Sequence, residues 1–136
     1  MDTSVPKRIL VVEDDPIGQK IVVDALTAYG YQVSVARTGP EGVEKAVRER
    51  PDLIVCDVLL PQKSGFEVCF EIKRAPETRD VPVIFMSAVC RDTYSTAYAS
   101  IDLRAQGYFV KPFSVTAMME RIGELLAPPV PKPMIA

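Results

Sequence analysis

The chain has 136 residues, 48% of them apolar, with a formal net charge of −2 and no histidine. That length and balance suit one globular domain and exclude a disordered or fibrous chain. The near-neutral charge without a basic run argues against a nucleic-acid footprint, no segment approaches the ~18 apolar residues of a membrane span, and MDTSVPKR lacks the apolar stretch of a signal peptide, so a cytoplasmic protein is expected.

Ile9–Val12 reads as a first strand. Asp15-Pro16 is a helix start, since proline is tolerated in the first turn, and Ile21, Val22, Ala25, Leu26 and Tyr29 follow at helical spacing until Gly30 ends the run. Gln32–Ala36 alternates polar and apolar like an edge strand. Thr38 can cap a helix carrying Val43, Ala46 and Val47, and Pro51-Asp52 turns the chain into a third strand, Leu53–Cys56. Gly65 opens a helix with Phe66, Cys69 and Ile72 on one face. Pro82–Met86 is a fourth strand, a helix is expected within Thr93–Ala105, and Tyr108–Val110 is a short fifth strand. Ser114 can cap a last helix with Met118, Ile122, Leu125 and Leu126 on its apolar face. The chain therefore divides into an N-terminal tail (1–6), one domain (7–126) and a proline-rich tail or linker expected to be disordered (127–136).

Strand–helix alternation repeated in this way predicts an α/β, doubly wound, five-stranded parallel sheet with five helices on its two faces. Uninterrupted apolar strands fit, because central parallel strands are covered on both sides. If the strand order is 2-1-3-4-5, strands 1 and 3 are neighbours at the switch point, where ligands bind beyond the carboxyl ends.

The polar residues fall on that edge. The first strand runs into Glu13, Asp14 and Asp15, the third into Asp57, the fourth into Ser87 and the fifth into Lys111. Clustered carboxylates stay ionised together only beside a compensating cation, and Mg²⁺, a hard ion that keeps several waters, suits them. Acids, a lysine and a hydroxyl on one rim predict a phosphoryl site, with Asp57 the candidate nucleophile. The absence of histidine removes Ser-His-Asp and Cys-His catalysis and any phosphohistidine carrier from this chain. Cys56, Cys69 and Cys90 have neither zinc nor CxxC spacing and read as buried small hydrophobes, with a redox role for Cys90 as the alternative.

Four motifs in order resemble the receiver domain of bacterial response regulators: "ILVVEDDP", "DVLLPQKSG", "VIFMSA" and "YFVKPF". The resemblance covers roughly residues 7 to 126 and implies a flavodoxin-like, CheY-like fold. It implies Asp57 as phospho-acceptor, Glu13, Asp14, Asp57 and the Leu59 carbonyl as Mg²⁺ ligands (Mn²⁺ substituting), and Ser87 and the Ala88 amide at the phosphate. Lys111 is the site lysine, followed by a cis-type Pro112, and Tyr108 the switch aromatic. It implies no enzyme acting on a separate substrate. A sensor histidine kinase or histidine phosphotransfer protein would donate the phosphoryl group, and a downstream protein would read the 90–126 face, with Tyr94, Tyr98 and Arg104 as candidate contacts.

The sequence departs from the family in three places. Leu60 replaces a frequent methionine, Ser87 to Lys111 is about two residues longer than usual, and Arg104-Ala105-Gln106-Gly107 replaces Gly-Ala-Asp-Asp, so the charged dimer pairing of DNA-binding regulators does not carry over. No output domain follows Leu126 in this sequence, which leaves a single-domain regulator, a relay shuttle, or a receiver from a larger hybrid kinase or multidomain regulator. The competing readings are a phosphatase of the haloacid dehalogenase type, which needs a second Asp where Leu59 stands, and an unphosphorylated scaffold.

Overall fold

The computed structural model describes residues 5–88 and 105–126. In chain order the elements are β1 (Arg8–Val12), α1 (Pro16–Ala28), β2 (Gln32–Ala36), α2 (Gly39–Glu49), β3 (Leu53–Asp57), α3 (Gly65–Arg74), β4 (Val83–Ser87), β5 (Gly107–Val110) and α4 (Val115–Leu126). The five strands form one parallel sheet, as the strand–helix alternation predicts, and its order is β2-β1-β3-β4-β5, the order expected of the CheY-like fold. The described residues hold four helices rather than five. The helix expected within 93–105 falls almost wholly outside them, as do Cys90, Tyr94, Tyr98 and Arg104.

The uninterrupted apolar run of β3 follows from burial on both sides. Ile54 and Cys56 join α2 and α3 in one core, with Ala46, Phe66, Cys69 and Ile72. Leu53 and Val55 face the other way, onto Val22 and Leu26 of α1 and Met118 and Ile122 of α4. β2, at the edge, is only partly covered, and its alternating sequence reflects that.

The helix ends follow the cap chemistry. The Asp15 carboxylate accepts from Gly18 N–H at 3.0 Å, with Pro16 in the first turn, and Gly30 has a φ of +91° beyond the helix end. Thr38 Oγ1 accepts from Glu41 N–H at 3.2 Å, and Ser114 Oγ from Ala117 N–H at 3.1 Å. α3 begins with a reciprocal capping box between Ser64 and Glu67, legible as S-x-x-E in the sequence but not among the signals read there.

β3 and β4 each take in the polar residue that follows the apolar run, so Asp57 and Ser87 are the last residues of their strands, as expected. Their backbones are held by the ladder: Val58 N–H donates to Met86 O at 3.0 Å, and Lys111 N–H to Ser87 O at 2.7 Å. Gln106, where the family pattern has an acid, ties two elements to the sheet edge. Its side-chain oxygen accepts from Val83 N–H at 2.8 Å, and its carbonyl accepts from Arg121 Nε at 2.9 Å.

Candidate phosphoryl-acceptor site

The switch point between β1 and β3 gathers the acids. Ligand oxygens of Glu13, Asp14 and Asp57 lie within 4.8 Å of one another. Glu13 is fully buried and Asp57 is 5% exposed, whereas Asp14 is more open. From across the sheet, Lys111 places its Nζ 2.6 Å from Glu13 Oε1 and 3.0 Å from Asp57 Oδ2. The peptide bond after Lys111, to Pro112, is cis, as the resemblance implies.

Asp57 is fixed at both oxygens. Oδ2 accepts from Lys111, and Oδ1 accepts from Leu59 N–H at 3.2 Å. Behind it, Gly65 N–H donates to Val58 O at 2.8 Å, and a Cβ at Gly65 would stand 2.2 Å from the Asp57 carbonyl oxygen. Only glycine lets α3 start this close to the end of β3. The loop between them contains Gln62 at φ +71°, in a three-residue turn closed by Lys63 N–H to Pro61 O at 2.8 Å. A non-glycine residue there stores strain beside Asp57.

Electrostatics set the Glu13 carboxyl apart. Burial and the nearby Asp57 carboxylate push it up to about 7, against the opposing pull of Lys111. Burial pulls the Lys111 ammonium down, but its hydrogen bonds to Glu13 and Asp57 outweigh that and its pKa is raised. One ammonium is thus shared by two carboxylates, with a third close by, and a buried acid is left with partial protonation near neutral pH. All-oxygen donors with a surplus of negative charge fit a hard divalent cation.

Asp15 and two residues that the sequence reading did not single out, Gln19 and Gly18, support the site. Gln19 Nε2 donates to the Glu13 carbonyl at 2.9 Å, and Asp15 N–H donates to Glu13 Oε2 at 3.3 Å. A Cβ at Gly18 would meet Glu13 Oε1 at 2.9 Å, so that glycine leaves room for the carboxylate. Neither Gln19 nor Gly18 had a signal in the sequence beyond residue type, because each depends on how α1 leaves β1.

Of the residues expected at the site, Glu13, Asp14, Asp57 and Lys111 are brought together directly. Ser87 is buried at the end of β4, beside the exposed Ala88. Leu59 leaves the mouth of the site with a side chain 54% exposed. Tyr108 lies on β5, packed against the core on the α3 side of the sheet. Cys56 and Cys69 are buried thiols outside any disulfide, the first pushed well up and the second up to about 12 by burial, which keeps both protonated and inert.

A family model described as response regulator receiver domain matches residues 9–123. The chain is 36% identical over 119 residues to the response regulator MprA of Mycobacterium leprae, covering 88% of this chain and 50% of that protein. It is 37% identical over 119 residues to the DNA-binding dual master transcriptional regulator RpaA of Synechocystis, covering 88% and 48%. The chain therefore spans about half the length of the curated relatives it matches. Among solved structures it is similar to the receiver domain of the sensor histidine kinase PA1611 of Pseudomonas aeruginosa, crystallised with a magnesium ion coordinated in the active-site cleft. There the TM-score is 0.78 at 27% identity, covering 91% of this chain and 100% of that one. A signal receiver domain of a histidine kinase from Syntrophus aciditrophicus gives 0.80 at 29% identity, covering 96% and 98%.

Proposed function

The chain belongs to the response regulator receiver domain family, and on that premise we propose that Asp57 accepts a phosphoryl group from a histidine on a partner protein and that the phosphorylated form switches a protein-binding face. The observation that carries this reading is the double hold on Asp57: Lys111 at 3.0 Å from Oδ2 and the Leu59 amide at 3.2 Å from Oδ1. A carboxylate fixed at the end of a rigid strand is an oriented nucleophile, and orientation is most of what phosphoryl transfer asks of a protein.

In the transfer, a carboxylate oxygen of Asp57 forms the new P–O bond as the P–N bond to the donor histidine breaks, and the ring nitrogen keeps the electron pair. Lys111 offers its ammonium to the phosphoryl oxygens. Ser87 and the Ala88 amide, at the end of β4, supply hydrogen bonds to the phosphoryl group once it is attached. Asp14 and Asp57 would hold Mg²⁺ directly, with the Leu59 carbonyl, and Glu13 would hold it through water. The ion supplies charge neutralisation at the transferring phosphoryl group. Movement of Ser87 toward the phosphate then lets Tyr108 change its seat, a population shift between two packings.

A protein donor also has somewhere to rest. Beside Lys111 lies a groove of about 190 Å³, lined by Gly18, Ile21 and Val22 of α1, Met86, and Phe113 and Val115 at the start of α4. Ile21, which lines the groove, is 51% exposed, and Ile17 of the same helix is 71% exposed. Exposed branched side chains around a site that must receive a macromolecular donor favour protein over small-molecule recognition. No described helix is long and apolar enough to cross a membrane. Turnover of a separate substrate is not part of this reading, and Leu59, where a dehalogenase-type phosphatase needs an acid, cannot protonate a leaving group.

The test is incubation with acetyl phosphate and Mg²⁺ followed by mass mapping. Phosphate on Asp57, absent in Asp57→Asn and without divalent cation, is expected. Phosphorylation of the Asp57→Asn protein would remove the assignment.

A further inference from the structure

The structure contains an aromatic path between the acceptor strand and β5 that none of the site's polar residues provides. In the sheet, Phe85 of β4 is the register neighbour of Cys56 on one side and of Tyr108 on the other. Cys56 immediately precedes the acceptor, so Phe85 occupies the row directly beneath Asp57 and reaches across to Tyr108. The Phe85 ring is 2% exposed and meets the Tyr108 ring edge-on, with centroids 6.2 Å apart and planes at 60°. On its other side it meets Phe66 at 5.0 Å and 77°. Phe66 is the second residue of α3 and follows Gly65, whose close approach to the Asp57 carbonyl ties the helix start to the acceptor.

Three rings thus run from the start of α3 to β5 with one buried side chain in the middle. Edge-on aromatic pairs hold preferred geometries, and a close-packed core moves between discrete arrangements rather than yielding continuously. The volume and edge of the Phe85 ring therefore fix how far inward Tyr108 can seat.

We propose that Phe85 is the positioning residue for Tyr108, coupling the acceptor strand and the start of α3 to the aromatic on β5 through the core, in parallel with any movement of Ser87. This rests on the receiver reading above, in which Tyr108 changes seat on phosphorylation. Phe85 touches neither phosphate nor metal. Replacing it alters the Tyr108 response without altering occupancy of the acceptor.

The experiment is ¹⁹F NMR of the full chain labelled with 3-fluorotyrosine. The Tyr108 resonance is assigned as the one missing from Tyr108→Phe. Beryllofluoride with Mg²⁺ is the phosphoryl probe, and its affinity is measured on the same samples. Wild type is expected to shift its Tyr108 resonance on saturation. Phe85→Leu is expected to bind beryllofluoride within about twofold of wild type yet keep less than about half of that shift, since the smaller side chain frees the Tyr108 seat. Ile72→Val, a one-methylene truncation of an aliphatic side chain in the same core, is expected to keep the full shift. If Phe85→Leu fails to fold, Phe85→Met, closer in volume, takes its place. Saturating binding with a full Tyr108 shift in the Phe85 variant overturns the proposal, as does an equal loss in Ile72→Val. Absence of beryllofluoride binding in wild type overturns the receiver reading instead.

Discussion

Lys111 and Glu13, 98 residues apart in the chain, form a 2.6 Å ion pair across the carboxyl end of the sheet. The same ammonium holds Asp57, and yet Glu13 remains hard to ionise because it is fully buried. The pair binds β5 to β1 over the acceptor strand that lies between them. From it follow expectations for pH and for metal.

In metal-free protein Glu13 holds its proton up to about pH 7, against an ordinary value of 4.5. Between those values the folded state binds more protons than the unfolded one, so stability falls as pH rises from 4.5 to 7 and levels off above. Urea unfolding with a chelator present should give a value lower at pH 8 than at pH 5 by on the order of 2 kcal/mol. Glu13→Gln should flatten that slope, and an unchanged slope would show that another group carries it.

Asp14 is the open acid and Glu13 the one already taken by Lys111. Asp14→Ala should weaken Mg²⁺ binding by about tenfold or more, and Glu13→Ala by clearly less, since a contact through water tolerates loss better than a direct ligand. Calorimetric titration gives the order, and equal losses would contradict the assignment of Asp14 as a direct ligand and Glu13 as one acting through water.

Two glycines should respond in opposite directions. Gly123 lies inside α4 with nothing within 4 Å of an added Cβ, so Gly123→Ala should stabilise by about 0.5–1 kcal/mol. At Gly65 the Cβ would stand 2.2 Å from the Asp57 carbonyl oxygen, so Gly65→Ala should displace the acceptor and slow phosphorylation even where the fold survives. Thermal melts and acetyl phosphate labelling separate the two effects.

The acyl phosphate on Asp57 should be long-lived. Hydrolysis needs a water in line with the Asp57–phosphorus bond, and Leu59, 54% exposed at the mouth of the site, can neither orient nor activate one. Leu59→Asn should shorten the lifetime, and Val89→Glu should shorten it further, although residue 89 lies outside the described residues. Decay of phospho-Asp57 after donor removal is the measurement. A wild-type decay as fast as the variant's would refute this.

The sequence alone determined the layers and most of the site. Apolar runs at Leu53–Cys56 and Pro82–Met86 fix buried parallel strands, because a strand covered on both faces has no polar side to show. Strand order then forces whatever ends β1 and β3 to share one rim, so Glu13, Asp14 and Asp57 were legible as a cluster before any coordinate. What only the tertiary structure decided are the distances and neighbours that cross between elements. Gly18 and Gly65 matter because of what a Cβ would strike, Gln19 because α1 turns it back onto the Glu13 carbonyl, and Phe85 because register sets it between Cys56 and Tyr108. Local pattern records which face a residue takes. The partner it meets on that face is chosen by packing among segments far apart in the chain, and one sequence read along its length carries no signal of that choice.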